Sequence, residues 1–323
     1  GGGMAALRAA AAAPSEALGA SPACRVCLEG AGAEDGDAGE AVILRSPCAC
    51  RGSMAYICLG CIQQQYEAQG VWDNLNCPVC GVTYDDDIAI WLAEYGRSLS
   101  EPGSLESAYV LSSLGHMHSC VGDAEAAIDP LREALAIQQR ELGMQHPVTA
   151  TSMLHLGFAH GVLGDAAEQL RLAELAVDIL ERAHSGESVE VARALNCLAN
   201  ACIRLGDFAR GRDLHLREIG IYERGGARDG SHELGVIQAL SDLGIAYGGL
   251  KDHQRKRTTL ERALELATRV YGPDRVEVAN VMANLAQAHM ALGHGAPARV
   301  LLWRARCIFV RRCSEEAPSA DEL

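Results

Sequence analysis

The chain is poor in aromatic side chains, with three Phe, three Trp and eight Tyr among 323 residues, or 4 % in all. Sandwiches and barrels fill their inner faces with aromatic and β-branched residues, so this scarcity argues against an all-β domain. Positive charge is also short: 28 Lys and Arg stand against 42 Asp and Glu, giving a formal charge of −14. Phosphate backbones and anionic lipid surfaces are held by clustered cations, so no nucleic-acid partner is expected. The one notable basic run, Arg255-Lys256-Arg257, reads as a solvated helix face. No stretch approaches the roughly 20 apolar residues needed to cross a bilayer, so no membrane span is expected. Nothing resembles an export signal, and the Gly/Ala-rich segment 1–20 reads as a disordered tail. The expectation is an intracellular, cytoplasmic chain, with the nucleus left open. There is no Gly-rich phosphate loop and no assembly of Ser, His and Asp, so no catalytic residue is assigned.

What the chain does have is alanine, leucine and cysteine. Apolar residues make up 49 % of it, and a mixture dominated by Ala and Leu suits thin helical layers. The length predicts two or three domains. Thirteen cysteines in a chain without an export signal need a reason other than disulfides. Cys120, Cys197, Cys202, Cys307 and Cys313 are scattered through helical sequence and read as small apolar residues. The other eight lie between Cys24 and Cys80 in four pairs: Cys24-x2-Cys27, Cys48-x-Cys50, Cys58-x2-Cys61 and Cys77-x2-Cys80. Zinc takes four thiolate or imidazole ligands in a tetrahedron, and two cysteines separated by two residues turn back onto one ion. Eight ligands complete two closed sites. Histidine is absent before His116, so both sites are all-cysteine and the expected cofactor is two Zn2+. Spacing alone does not decide whether the pairs are used in sequence, as in two zinc ribbons, or interleaved.

The run Cys24-Arg25-Val26-Cys27-Leu28-Glu29, then Ser46-Pro47-Cys48-Ala49-Cys50-Arg51-Gly52-Ser53-Met54-Ala55-Tyr56-Ile57, closing with Cys77-Pro78-Val79-Cys80, resembles the RING-CH variant of the RING finger. The resemblance implies a cross-brace in which Cys24, Cys27, Cys58 and Cys61 hold one zinc and Cys48, Cys50, Cys77 and Cys80 the other. It also implies a ubiquitin-conjugating enzyme as partner, docked on an apolar patch of Val26, Pro78, Tyr66 and Trp72. A PHD finger is the weaker match, because Leu75 stands where that module has a Trp. Three features depart from the family. Cys58 occupies its usual histidine place, Gln65 its docking Trp, and Gly81 the basic residue that follows the last ligand in many active RING fingers.

From Ser104 onward the sequence repeats itself. Gly122-Asp123, Gly164-Asp165, Gly206-Asp207, Lys251-Asp252 and Gly293-His294 recur in steps of 42, 42, 45 and 42 residues, and a Leu-small pair at Leu114, Leu156, Leu198, Leu243 and Leu285 keeps the same steps. Each unit reads as two helices, with glycine turning the chain and aspartate capping the second helix. The units resemble tetratricopeptide repeats of the kinesin-light-chain type, which stack into a superhelix whose first helices line a concave groove. That register predicts a peptide-binding groove carrying Arg193, Asn196, Asn200 and Arg204, whose side chains suit a protein or peptide ligand's backbone and carboxylates. Gln169, Gly211 and Lys256 stand where the second helix normally has alanine, which predicts looser packing in repeats three and four.

The expected architecture is a small zinc-stabilised cross-brace RING-like domain followed by an all-α tetratricopeptide-repeat solenoid. Residues 1–20 form the tail, 21–84 the zinc finger, 85–103 a connecting helix and linker, 104–313 five repeats, and 314–323 an acidic tail. The expected function is a RING-type E3 ubiquitin-protein ligase without a nucleophile of its own. The alternative is a non-catalytic zinc-binding adaptor.

Overall fold

The structure, a computed structural model, describes residues 24, 26, 43–45, 56–69, 75–79, 84, 86–184, 186–225 and 231–316. The tail expected at 1–20 lies outside them, as do residues 317–323. The chain divides into two compact units between Gly143 and Met144.

In the first unit, β1 (Ile43–Arg45) pairs antiparallel with β2 (Tyr56–Cys58), Leu44 opposite Ile57. Both of those side chains are buried, as a directly opposed pair on one sheet face should be. Helix α1 (Leu59–Gln69) follows β2 without a break and buries Leu59, Ile62 and Tyr66, a single stripe at helical spacing. Helix α2 (Asp86–Leu99) buries Ile88, Ala89, Leu92 and Ala93. Trp91 and Tyr95 stack beside that stripe, and the Tyr95 hydroxyl donates to the Glu67 carboxylate of α1. Helices α3 (Leu105–Cys120) and α4 (Ala124–Glu141) form the first repeat.

One apolar core joins the two strands, α1, α2 and part of α3. It takes in Cys24, Leu44, Ile57, Ile62, Tyr66, Cys77 and Leu92, and reaches Leu114 and Met117 on α3. The zinc-finger region and the first repeat therefore share a core. The linker expected at the end of segment 85–103 is a pinned turn. Helix α2 extends to Leu99, Ser100 N bonds back to Gly96 O at 3.0 Å, and Arg140 Nη2 holds Gly103 O at 2.8 Å. Ser104 then caps α3 by accepting from Ser107 N at 3.1 Å. The Ser/Pro/Gly composition that suggests a linker is equally a turn signal, and here the turn is the outcome.

The second unit contains four more helix pairs: α5 (Pro147–Val162) with α6 (Ala166–Ala183), α7 (Val189–Arg204) with α8 (Phe208–Gly225), α9 (Ser231–Gly249) with α10 (His253–Tyr271), and α11 (Val276–Ala291) with α12 (Gly295–Glu316). The turn inside each pair follows the expected chemistry. Gly122, Gly164, Gly206 and Gly293 have φ between +78° and +90°, and Asp123, Asp165, Asp207 and Asp252 accept a backbone N–H three residues on. Lys251 takes the same left-handed place with φ +60°, the one non-glycine to do so among the described residues. Exposed Arg–Glu pairs such as Arg210–Glu174 and Arg217–Glu181 join successive second helices; each contributes about 0–1 kcal/mol. On α12, Val300, Leu302 and Trp303 are exposed.

At Gln169, Gly211 and Lys256 themselves the two helices pack closely, because the facing residue eight positions earlier compensates in size; the openings that do occur in repeats three and four lie elsewhere, between neighbouring helix pairs. Gly161 faces Gln169, and a Cβ there would lie 2.2 Å from Gln169 Oε1. Gly248 makes the same room for Lys256, whose Nζ would be 3.3 Å from an added Cβ. The pair is reversed in the third repeat, where Ile203 fills the space over Gly211. Volume is conserved across the pair, and close packing asks for no more.

Candidate functional site

The strand–helix junction β2–α1 builds the first cluster. Cys58 ends the strand and Cys61 lies in the first turn of α1, so both thiols point to one side, and Cys24 joins them from far away in sequence. The three Sγ atoms lie within 4.8 Å of one another and all three residues are buried. Tetrahedral thiolates at a Zn–S distance of about 2.3 Å stand about 3.8 Å apart, so this set fits zinc. Backbone N–H groups already aim at the sulfurs. Cys24 Sγ accepts from Cys58 N at 3.2 Å and Val26 N at 3.4 Å, and Cys58 Sγ accepts from Cys61 N at 3.4 Å. Such bonds favour thiolate, as does the N-terminal end of a helix. Burial, with a smaller push from the neighbouring Cys24, holds the Cys58 thiol above its ordinary value, and a divalent cation overrides that by direct coordination.

Cys24 thus meets the third cysteine pair. Cys77 is fully buried in the same core but is not part of the trio. Cys27, Cys48, Cys50 and Cys80 lie outside the described residues, as does Trp72. Of the expected docking patch, Val26 is 44 % exposed, Pro78 is exposed, and Val79 beside it is 55 % exposed. Tyr66 is different: at 2 % exposure it belongs to the core and presents nothing to a partner. Its place on the inward stripe of α1 with Leu59 and Ile62 dictates this. The remaining cysteines also divide. Cys197 and Cys202 are buried, and burial pushes the Cys197 thiol up to about 11. Cys120 is exposed, its Sγ 3.7 Å from His116 Nε2, so packing does not account for it.

The groove residues sit on α7. Arg193 and Arg204 are exposed, whereas Asn196 and Asn200 are half-buried and already engaged. Asn196 Nδ2 donates to Glu218 Oε2 and to Asp242 Oδ2, each at 3.4 Å. Asn200 Nδ2 donates to Asp242 Oδ2 at 3.3 Å and to Asn196 Oδ1 at 3.2 Å. Gln238 Nε2 completes the set on Asp242 Oδ2 at 3.0 Å, and His215 Nδ1 lies 2.8 Å from Glu218 Oε2. His215, Glu218 and Asp242 are buried, and none stands among the predicted groove residues. Their signal was available: His215 and Glu218 interrupt the apolar stripe of α8 that continues through Ile219 and Tyr222.

Comparison with known proteins agrees with this layout. A RING-variant domain model matches residues 24–80, and a tetratricopeptide-repeat model matches 106–182 and 235–305. Among solved structures, the nearly identical TPR-like repeats of a Podosopora anserina kinesin light chain share 22 % identity over 66 % of this chain and 98 % of that one, at a TM-score of 0.52. BtubC (BKLC) from P. vanneervenii shares 23 % over 70 % and 89 %, at 0.55. The apo form of RapI shares 15 % over 64 % and 72 %, at 0.53. No curated protein matches in sequence. The chain is a RING-variant domain followed by a tetratricopeptide-repeat solenoid. The first implies zinc and the second a protein ligand, and no helix among the described residues is long and apolar enough to cross a membrane.

Proposed function

We propose that this chain is a RING-type E3 ubiquitin-protein ligase whose zinc module docks a ubiquitin-conjugating enzyme and whose repeats recruit the substrate. The observation that carries the reading is the meeting of Cys24 with Cys58 and Cys61, because interleaved use of cysteine pairs favours a cross-brace over two sequential ribbons. On this reading Cys24, Cys27, Cys58 and Cys61 hold one zinc, and Cys48, Cys50, Cys77 and Cys80 the second. The ions are structural. They fix the loops that carry Val26, Pro78 and Val79, whose exposed side chains offer the conjugating enzyme a small apolar surface. No side chain of this chain attacks the thioester. Acceleration comes from holding the charged enzyme beside an acceptor amine, which raises effective concentration.

The burial of Tyr66 and the place of Gln65 on α1 narrow that surface, and these observations favour a second reading as a zinc-binding adaptor without transfer activity. One assay separates the two: purified full chain with ubiquitin, activating enzyme and a broad panel of conjugating enzymes, beside Val26→Ala. Chain formation that falls about tenfold in the variant, with zinc content unchanged, supports the ligase; a single docking side chain near the centre of an interface commonly carries that much. No chains with any conjugating enzyme would leave the adaptor. Metal analysis giving fewer than two zinc ions per chain would refute the ligand assignment separately.

A further inference from the structure

Between α7, α8 and α9 lies a cavity of about 210 Å³ lined by Arg193, Asn196, Glu218, Tyr222, Gly235 and Gln238. It is larger than a few waters, each taking about 30 Å³, and of a size for one long side chain. Its chemistry follows from which atoms are already used. The amide N–H groups of Asn196, Asn200 and Gln238 are directed onto the carboxylates of Asp242 and Glu218. Asn196 Oδ1 in turn accepts from Asn200 Nδ2, so the amide oxygen left toward the cavity is that of Gln238. Among the described residues, Gln238 Oε1 accepts no hydrogen bond, and both bonds to Glu218 fall on Oε2, leaving Oε1. Tyr222 adds an aromatic wall. Its ring packs so close to Gly235 that a Cβ there would lie 2.5 Å from it. The one cationic liner, Arg193, is exposed, and its charge also acts on Glu190.

We propose that this cavity receives the ammonium or guanidinium of a lysine or arginine on a protein segment lying along the first helices of the third and fourth repeats. Glu218 Oε1 takes the ion pair, Gln238 Oε1 accepts a second N–H, and the Tyr222 ring meets the cation's alkyl stem and charge. A donor-rich cation satisfies every acceptor the cavity leaves open, whereas a carboxylate ligand, met by Arg193, the Tyr222 hydroxyl and one Gln238 N–H, would also face the buried Glu218 carboxylate. Burial holds the Glu218 carboxyl above its ordinary range, and the arriving cation relieves that cost. The tetratricopeptide-repeat model leaves residues 183–234 unmatched, and four of the six lining residues lie in that stretch. The cavity is thus built where the chain departs from the general repeat. The inference rests on reading the repeats as a partner-binding surface and not on ubiquitin transfer.

The test is a titration of the isotope-labelled full chain, following the Gly235 and Gln238 amide signals by NMR, with three probes: N-acetyl-arginine amide, N-acetyl-lysine amide and N-acetyl-glutamate amide. The two cationic probes are expected to shift both signals saturably, and the glutamate probe to leave them unmoved. Glu218→Gln keeps the hydrogen-bond geometry and should weaken the cationic probes about tenfold or more, the scale of one hydrogen bond to a charged group. Gln238→Ala, at an exposed position, should weaken them less and without unfolding. Arg193→Ala should leave them as tight or tighter. Binding of the glutamate probe with loss in Arg193→Ala would overturn the proposal, and so would silence from all three probes. Neither result bears on the ubiquitin assay, which reads the N-terminal module.

Discussion

The Gly161–Gln169 pair makes the sharpest quantitative prediction. Gly161→Ala alone gains about 1 kcal/mol of helix propensity. It also sets a Cβ 2.2 Å from Gln169 Oε1 and 2.6 Å from Cδ. Overpacking of that kind costs about 1–3 kcal/mol. The displaced amide also loses its bond to the Cys197 carbonyl, about 1 kcal/mol more. The variant should be destabilised by roughly 1–2 kcal/mol, within the spread of those terms. Gln169→Ala alone loses the same bond and opens a void opposite a glycine. It also removes Oε1, a buried acceptor without a partner, and that gain of about 1–3 kcal/mol brings the change close to zero. The double variant has alanine on both helices, with no clash, no orphan acceptor and the propensity gain intact. It should equal or exceed the natural protein, so the two changes are coupled by about 2 kcal/mol, far outside the few tenths expected of independent sites. Urea denaturation of the four proteins, monitored by helical circular dichroism, measures the cycle. Additive single-variant effects, or a double variant weaker than Gly161→Ala, would refute the account of volume exchange between the helices.

Other perturbations follow from the same structure. Because Leu114 and Met117 share a core with Cys24 and Cys77, zinc chelation should speed amide exchange in α2 and α3 as well as in the finger; a change confined to residues before 80 would contradict the shared core. The Glu218 carboxyl is raised by burial, so its contribution is complete below its unfolded value and is lost as pH rises through the folded one. Relative to Glu218→Gln, the natural protein should therefore lose stability from about pH 4.5 upward, and a difference that is flat or of opposite slope in matched melts would refute this. Lys251 and Lys256 are the chain's only lysines; Lys251 is exposed, whereas Lys256 is half-buried and donates to Gln287 at 3.4 Å. In the ubiquitin assay, self-attached ubiquitin should map by mass spectrometry to Lys251 and disappear in Lys251→Arg, and modification chiefly at Lys256 would show that exposure is not what selects the acceptor.

Much of this architecture could be read from the sequence because its signals are local. A Gly-Asp pair contains the whole of its turn: the glycine reaches the left-handed region and the aspartate caps the helix that begins beside it. Ile62 and Tyr66, or Ile88 and Leu92, likewise declare a helical stripe at fixed spacing. Cys24 reaching Cys58 and Cys61 was another matter. The residues alone left sequential and interleaved pairing open, and only the folded chain brings a sulfur of the first pair beside both of the third. The shared core was illegible for the same reason. Nothing local in Leu114 or Met117 distinguishes a side chain packing on the second helix of its own repeat from one packing on α2. Tyr66 was misplaced because an aromatic residue near zinc ligands suits a surface or a core equally well, and only the phase of α1 separates them.

The groove shows how the character of a surface can reverse when its partners come from other helices. Arg193, Asn196, Asn200 and Arg204 lie three or four residues apart on one face of α7, and taken alone they make a donor-rich strip suited to carboxylates. An amide carries both a donor and an acceptor, however, and its neighbours decide which of the two is left for a ligand. Glu218 comes from α8 and Asp242 from α9, 22 and 46 positions beyond Asn196. Once both carboxylates are buried beneath the asparagines, each must be satisfied, since an unpaired charge in low dielectric costs far more than a directed hydrogen bond contributes. The amides therefore turn their nitrogens inward. Asn196 Oδ1 is taken by Asn200, so the Gln238 oxygen and the free Glu218 oxygen are what remain for a ligand, and a face that reads as anion-binding along one helix becomes cation-binding in the assembled repeats. Asp242→Asn tests that chain of cause. With the charge gone, Asn196 and Gln238 are released to rotate, and the preference for the arginine probe over the glutamate probe should shrink. An unchanged preference would mean that the buried carboxylate does not orient the amides.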